Sequence, residues 1–414
     1  MPASERCLGQ LKGVVFREFV STQHTRFAFG RVLRTQAPDG LWTTNEYYLT
    51  GLYRKTSGAR VYPVEYTFDY AGRLGTMTTW QDYATSAGAA VTQWKYEGTR
   101  GFLTNKVYQG TNGPAYTYTR AGRLGTRTWA RGVTTTYAYN NAGELAVADY
   151  SDGTPDVIYA YDRQGRPAQI TGATTNDFAF TAAGLLLSEN VVNKTWNYAS
   201  QNRVGYDALQ RRSGLTNLSL GLTHRYAYDA ASRLQNVSTL DSGASSQVSY
   251  SYVSNSPLVG GITFQQGGTT RLTTGKSYDN LNRLRGVSSA NAQLSTPITF
   301  NYQYNAANQR TAVTNADGSR WAFGYDRLGQ VTNGWRFWAD NSDVRGQTFN
   351  YAFDDIGNRK TAGAGTPGAQ RTQTYGVNLV NQYTLYRSYQ LKQLHDRVQA
   401  NDRISGNLGS LLHP

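Results

Sequence analysis

A tyrosine-centred phrase recurs along most of the chain, as in YTFDYAGRL around Phe68 and YAYDAASRL around Tyr228. Units repeated at this scale bury an apolar face only by stacking on their neighbours, so the chain is predicted to fold as an array. The third position of the phrase marks 13 anchors, spaced 18 to 30 residues apart: Phe68, Tyr96, Tyr118, Tyr139, Tyr161, Phe180, Tyr198, Tyr228, Tyr252, Tyr278, Tyr304, Tyr325 and Phe353.

Each repeat carries the sequence of a β-hairpin. Aromatic residues two apart, such as Tyr226 and Tyr228, lie on one face of a strand. An acidic residue or Asn usually follows the anchor, and three positions later comes Gly or Asn, which tolerates the left-handed backbone that closes a tight turn. Val is therefore expected to do more damage at Gly165 than at Ser232, a residue that already has a Cβ. The predicted turn residues are Asp69, Gly72, Gly122, Gly143, Asp162, Gly165, Asp229, Asp279, Asn282, Asp354 and Gly357. The same pattern predicts Asn202 as the turn residue after Tyr198.

Propellers and sandwiches also combine aromatic alternation with Asp and Gly turns. A propeller blade needs about 40 to 45 residues, whereas here the turn signal returns after roughly half that length. The pattern favours stacked hairpins in an all-β fold. Some 26 strands at about 4.8 Å each would extend roughly 125 Å, and a single-layer sheet of that width is predicted to curve around a hollow interior.

Three segments differ in pattern. Residues 1–60 keep strand-like alternation without a clear copy of the phrase and are predicted to be an N-terminal cap or degenerate repeats. Residues 61–384 form the repeat array. The tail, 385–414, places Leu391, Leu394 and Val398 at helical spacing and is predicted to be a short helix.

Charge and cysteine content exclude some function classes. The formal charge of +14 would suit nucleic acid, but many Arg residues occupy one slot of the repeat, where they can stack on Tyr and pair with Asp. Structural Arg ladders are therefore favoured over a nucleic-acid surface. Cys7 is the only cysteine, so no intramolecular disulfide is expected. Neither a signal peptide nor a membrane-spanning run is apparent.

The repeated YDxxGRL signature resembles that of bacterial Rhs-repeat, or YD-repeat, proteins, over roughly residues 61–384. The resemblance implies a spiral β-sheet that forms a hollow shell around a C-terminal toxin, or a cell-surface protein that contacts partner cells and glycans. It also implies a secreted or cell-surface location. The toxin-bearing members end in a DPxGR-type element with an aspartyl autoprotease. This sequence has no Asp-Pro dipeptide, so the shell is expected to be incomplete.

No catalytic constellation is apparent. The four histidines are scattered and match no metal-ligand spacing, and the sequence contains no nucleophile elbow or phosphate-binding loop. Adjacent Asp354 and Asp355 are interpreted as a turn cap and a solvated carboxylate, because consecutive residues point in opposite directions. The chain is predicted to be non-enzymatic, with no cofactor and no metal.

Three functions stay open: a structural shell, a surface module that binds glycans or a partner cell, and a glycan-active enzyme. The shell is favoured. Its expected partners are a cargo or toxin polypeptide, the remainder of a larger shell, and further copies joined through edge strands. Trp335 and Trp338 are the best candidates for stacking on sugars, although a hydrophobic loop packed on the sheet explains them better.

Overall fold

The secondary structure is entirely β-strand in the described part of the computed structural model. The fold prediction is confirmed: one antiparallel sheet holds all 32 strands. The structure describes residues 23–26, 30–109, 112–193, 195–240, 245–294 and 296–387.

The strands follow one another with short connections. The first sixteen are β1 Gln23–Arg26, β2 Val32–Gln36, β3 Trp42–Tyr47, β4 Tyr53–Gly58, β5 Val64–Phe68, β6 Leu74–Asp82, β7 Ala87–Tyr96, β8 Leu103–Tyr108, β9 Ala115–Tyr118, β10 Leu124–Thr128, β11 Thr134–Tyr139, β12 Leu145–Tyr150, β13 Val157–Tyr161, β14 Pro167–Thr171, β15 Thr175–Phe180 and β16 Leu186–Asn193. The second sixteen are β17 Tyr198–Tyr206, β18 Arg212–Asn217, β19 Leu222–Tyr228, β20 Leu234–Leu240, β21 Ser246–Tyr252, β22 Val259–Gln266, β23 Thr269–Tyr278, β24 Leu284–Ala290, β25 Ile298–Tyr304, β26 Arg310–Asn315, β27 Arg320–Tyr325, β28 Val331–Phe337, β29 Asp343–Phe353, β30 Arg359–Thr366, β31 Ala369–Val377 and β32 Tyr383–Arg387.

The sheet is a ribbon of consecutive hairpins. Each strand pairs antiparallel with the strands before and after it, and within the described residues β1 pairs only with β2 and β32 only with β31. The ribbon is therefore not a closed barrel. Its two long edges differ: one carries the turns that follow the anchors, here called anchor turns, such as 69–73. The other carries the remaining connections, here called opposite turns, such as 83–86.

The two faces of the ribbon differ in burial. In β13, Tyr159 and Tyr161 are half-buried, whereas Ile158 and Ala160 on the other face are exposed. Few apolar side chains in the described part of the chain are buried, which indicates that no second layer covers either face. The buried ones are Ala59, Trp80, Ala148, Val204, Ala312 and Val344. The sheet is held by its backbone ladders and by contacts between neighbouring repeats.

The ribbon continues without a break across both predicted segment boundaries, at residue 60 and at residue 384. β4 pairs with β5 across residue 60, and β32 extends through Leu385 to Arg387. The predicted helix at Leu391, Leu394 and Val398 lies outside the described residues. The cap role of residues 1–60 stays a prediction.

Candidate functional site: the repeated turn and the seam between ribbon turns

The anchor turn is organised by its carboxylate. Asp162 accepts hydrogen bonds from the backbone N–H of Gln164 and of Arg166, at 2.8 and 3.0 Å. The Arg166 guanidinium donates to the second carboxylate oxygen, with Nε at 2.7 Å. Hydrogen bonds from the Arg166 side chain and then from its backbone lower the pKa of Asp162. The same Asp and Arg pair occurs at Asp69, Asp207, Asp229 and Asp279.

The fourth residue of the anchor turn has a left-handed backbone. Gly165 has φ +75°, and its N–H donates to the Asp162 carbonyl at 3.0 Å. Ser232 occupies the same position with φ +61° and Gln210 with φ +61°. Ser232 shares the left-handed backbone of Gly165 but already carries a Cβ there, so the expected contrast between Val at Gly165 and Val at Ser232 stays a prediction.

The arginine of one turn packs on the aromatic anchor of the next repeat. The Arg233 guanidinium carbon lies 4.3 Å from the centre of the Tyr252 ring, and its Nη1 donates to the Ser256 carbonyl at 2.7 Å. Arg73 stacks on Tyr96 in the same way, with 4.5 Å between guanidinium carbon and ring centre. Arg73 and Arg233 thus form part of the structural arginine ladder that is predicted from the sequence.

The anchor hydroxyl completes the link between repeats. Tyr252 donates to the carbonyl of Leu234, the first residue of the neighbouring return strand, at 2.6 Å. A β-bulge interrupts the strand ladder beside that residue. The same bond is made by Tyr47, Tyr96, Tyr118, Tyr139, Tyr161, Tyr206, Tyr228, Tyr278, Tyr304 and Tyr325.

One predicted anchor is wrong. Tyr198 begins β17 and is 54% exposed, so it cannot end a strand at an anchor turn. The anchor of this repeat is Tyr206, whose hydroxyl donates to the Leu186 carbonyl at 2.8 Å. Asn202, predicted to close the turn, lies inside the same strand. The adjacent residues Tyr206 and Asp207 match the start of an anchor turn. Gln210, however, occupies the position at which the pattern has Gly or Asn.

Two further anchor positions, Tyr47 and Val377, lie outside the 13 predicted from the phrase. Tyr47 precedes a turn in which the Gly51 N–H donates to the Tyr48 carbonyl at 2.8 Å. Val377 precedes a similar turn between Asn378 and Gln382. The first turn lacks the carboxylate and the second follows an aliphatic anchor, so neither resembles the phrase.

The ribbon returns on itself, and contacts between its early and late parts form a seam. The Arg60 N–H donates to the Arg327 carbonyl at 3.0 Å, which joins the opposite turn after β4 to the anchor turn after β27. The Asp355 N–H donates to the Gln81 carbonyl at 3.0 Å, which joins the end of β6 to the anchor turn after β29. Both contacts span 23 strands, so the ribbon winds as a spiral with 23 strands in each turn.

Asp355 is the centre of this seam. Its carboxylate accepts the Tyr83 N–H at 2.8 Å and lies 3.6 Å from the Arg327 guanidinium. The expectation of a solvated Asp355 is wrong, since only 19% of its side chain is exposed. The turn-cap role of Asp354 holds, because its carboxylate accepts the Ile356 and Asn358 N–H groups. The side chains of Asp354 and Asp355 do point in opposite directions, but that of Asp355 points at the early part of the ribbon rather than at solvent.

A cavity of about 710 Å³ lies along the seam. Met77 and Tyr108 of the early strands face Ile356 and Leu379 of the late anchor turns across it. Its lining contains no Asp, Glu, His or Cys, so this cavity offers no carboxylate, imidazole or thiol for acid–base or nucleophilic chemistry. Lys106 also lines it, with its ammonium 5.0 Å from the centre of the Tyr108 ring.

The two candidate sugar-stacking tryptophans are partly exposed. Trp335 lies within β28, is 39% exposed and donates from Nε1 to Asn350 Oδ1 at 3.2 Å. Trp338 begins an opposite turn and is 49% exposed. The expectation of a hydrophobic loop packed on the sheet is wrong for both residues.

In the described ranges, no group of three or more His, Cys, Asp or Glu residues could hold a metal ion. Over the same ranges, no helix has the length and apolar character needed to cross a membrane. The lack of an enzymatic role stays a prediction.

Residues 304–333 match the family model of the RHS repeat. This segment runs from the anchor Tyr304 through the anchor turn at 326–330, so the match covers the geometry described above. This segment is therefore an Rhs repeat, and the resemblance of the chain to the Rhs-repeat, or YD-repeat, proteins is confirmed. A search of curated proteins finds no match.

Solved structures share the fold of this Rhs-repeat chain. The crystal structure of TcdB2-TccC3 superposes with a TM-score of 0.59 at 14% identity, over 86% of this chain and 22% of that chain. The Tc holotoxin pore of Photorhabdus luminescens gives a TM-score of 0.61 at 14% identity, over 88% of this chain and 22% of that chain. The Rhs-repeat chain therefore spans about a fifth of the length of these chains.

Proposed function

We propose that this Rhs-repeat chain is a length of wall in a protein shell that surrounds a cargo polypeptide, and that it acts without catalysis. The observation that carries the proposal is the seam. A single-layer ribbon that meets itself after 23 strands encloses space without filling it.

The dimensions support a container. At about 4.8 Å per strand, 23 strands give a perimeter of roughly 110 Å and a diameter of about 35 Å. Side chains fill barrels of about 8 strands, whereas barrels of 16 to 18 strands already leave an aqueous channel. A turn of 23 strands leaves a lumen wide enough for an extended or partly folded polypeptide.

The similar structures support the kind of cargo. The Photorhabdus luminescens structure is that of a Tc holotoxin pore and shares TccC3 with the TcdB2-TccC3 structure, and this chain covers 22% of each matched chain. The expected partners are therefore the remainder of a larger shell and a toxin or other polypeptide within it. A secreted or extracellular location is proposed on the same basis.

The shell can be tested by the access of a bulky reagent to the two faces of one strand. Ser251→Cys places a thiol on the face opposite the tyrosines of β21, and Val248→Cys places one on the tyrosine face, both in a Cys7→Ser background. A small maleimide should label both thiols. A maleimide carried on a long polyethylene glycol should label one of them at least about tenfold more slowly, because the lumen restricts its entry. Equal labelling by the bulky reagent would contradict a shell.

Cargo retention is tested in a polypeptide that joins this chain to the proposed remainder of the shell and to its cargo. Its cargo segment should resist protease, whereas a reporter polypeptide fused to residues 1–414 alone should be cleaved, because in the described residues the ribbon ends in an unpaired strand edge at both β1 and β32. Equal cleavage of the two would contradict a container role and leave the ribbon as a surface module.

Glycan binding is the second candidate, supported by the exposure of Trp335 and Trp338. Aromatic side chains with exposed faces stack on sugar rings. A glycan array probed with the native chain and with the Trp335→Ala/Trp338→Ala variant tests this function: binding lost in the variant supports it, and no binding by the native chain contradicts it.

A further inference from the structure

The seam covers only part of the opposite edge. Late anchor turns meet the opposite turns from residue 59 to residue 131. In the part of the chain that the structure describes, no hydrogen bond or ion pair joins the opposite turns at 195–198 and 218–221 to a second turn of the ribbon. These turns continue the same edge beyond the point where the seam ends.

This uncovered stretch is apolar. Trp196 is 81% exposed and Leu220 is 75% exposed, with Tyr198 at 54% and Leu218 at 45% beside them. The four residues lie on adjacent opposite turns, because β16, β17, β18 and β19 pair in that order. They are called here the Trp196 patch. A group of large apolar side chains on an uncovered stretch of an edge is typical of an interaction surface.

The matching surface lies on the anchor edge of the same chain. Leu49 and Tyr70, in the middle of their anchor turns, are 105% and 95% exposed. Within the seam, the residue at the corresponding position of a late anchor turn is partly covered: Leu379 is 37% exposed and lines the cavity with Met77 of the early strands. The chain thus shows how apolar anchor-turn residues are covered by an opposite edge.

We propose that the Trp196 patch binds the anchor turns of a second copy of this chain, so that two ribbons stack edge to edge. The contact would continue the seam between molecules. It joins two different surfaces, which makes it a head-to-tail contact that leaves one free surface of each kind on the assembly. This arrangement differs from the pairing of edge strands, in which neither the Trp196 patch nor Leu49 takes part.

Sedimentation velocity of the full chain over a concentration series tests the proposal. Trp196→Ser/Leu220→Ser removes one surface, Leu49→Ser/Tyr70→Ser removes the other, and Ile158→Ser is the matched control, since it removes an apolar side chain that is 52% exposed in the middle of β13. The native chain and the control should associate. Each double variant should associate at least about tenfold more weakly, the factor expected from one large apolar side chain left unburied.

A mixture of the two double variants gives the decisive result. Each retains the surface that the other has lost, so the mixture should form a 1:1 dimer that grows no further. If a double variant does not fold, Leu220→Lys alone provides the same test at an exposed position. A native chain that stays monomeric at about 100 μM would overturn the proposal, as would association that both double variants leave unchanged or a mixture that stays dissociated. None of these results would bear on the hollow interior tested by labelling.

Discussion

Replacing Asp355 by Ala should loosen the seam at Tyr83 without disturbing the ribbon. The carboxylate accepts the Tyr83 N–H at 2.8 Å, across 272 residues of sequence. The strands on either side keep their ladders, because no strand pairing passes through this side chain. The local consequence is a Tyr83 amide that loses its partner.

The magnitude follows from this hydrogen bond. A hydrogen bond to a charged group contributes about 1.5 to 3 kcal/mol. Since each 1.36 kcal/mol corresponds to a factor of ten, the Tyr83 amide should exchange about 10- to 150-fold faster in the variant. The Arg327 contact should add little, because that guanidinium lies 3.6 Å away and is 56% exposed.

Hydrogen exchange followed by mass spectrometry measures the effect in peptides that contain residues 81–86. Asp340→Ala is the control: it removes a carboxylate that accepts the Ser342 N–H at 2.9 Å within its own turn, far from Tyr83 in the seam. The control should leave exchange at 81–86 unchanged. If Asp355→Ala also leaves it unchanged, the early and late ribbon turns are not joined in solution as described.

Three further predictions concern the repeat itself. Tyr252→Phe removes the 2.6 Å bond to the Leu234 carbonyl and should cost about 1 kcal/mol in urea denaturation. Gly165→Val should cost about 2 kcal/mol in the same assay, because φ is +75° and the new Cβ would lie 2.8 Å from Glu144 Oε1. Acidification should weaken the anchor turns: the folded pKa of Asp162 is lowered, so its contribution is present above the unfolded pKa near 4 and is lost as pH falls through the folded value. Thermal melting followed by circular dichroism should therefore show a plateau near neutral pH and a decline below about pH 4.

Matched variants separate these causes from general damage. Tyr70→Phe alters a hydroxyl on a side chain that is 95% exposed and should be neutral. Gly98→Val adds the same bulk to an anchor turn where φ is not left-handed and nothing lies within 4 Å, so its cost should be small. Equal losses at Gly98 and Gly165 would contradict the backbone argument. For the acid effect, Asp162→Asn should reduce the proton uptake on unfolding below about pH 4, and an unchanged uptake would contradict the lowered pKa.

The sequence by itself determined the hairpin and the array. Asp162, Gly165 and Arg166 lie within five residues, and the hydrogen bonds that Asp162 accepts close inside that segment, so local chemistry is enough to predict the turn. The same locality explains the error at Tyr198: the correct turn after Tyr206 uses Gln210 in a left-handed conformation, which residue type alone does not indicate. When Tyr206 replaces Tyr198 as the anchor, the spacing between neighbouring anchors narrows from 18 to 30 residues to 19 to 28 residues.

Only the tertiary structure decided how the array closes. Arg60 meets Arg327 and Tyr83 meets Asp355 because small twists at every strand add up over 23 strands. A one-strand change in that sum would bring a different turn to Asp355, and no single repeat encodes it. The sequence therefore specifies the unit of the wall, whereas the accumulated twist sets the width of the lumen, the seam, and the part of each edge left free to meet another ribbon.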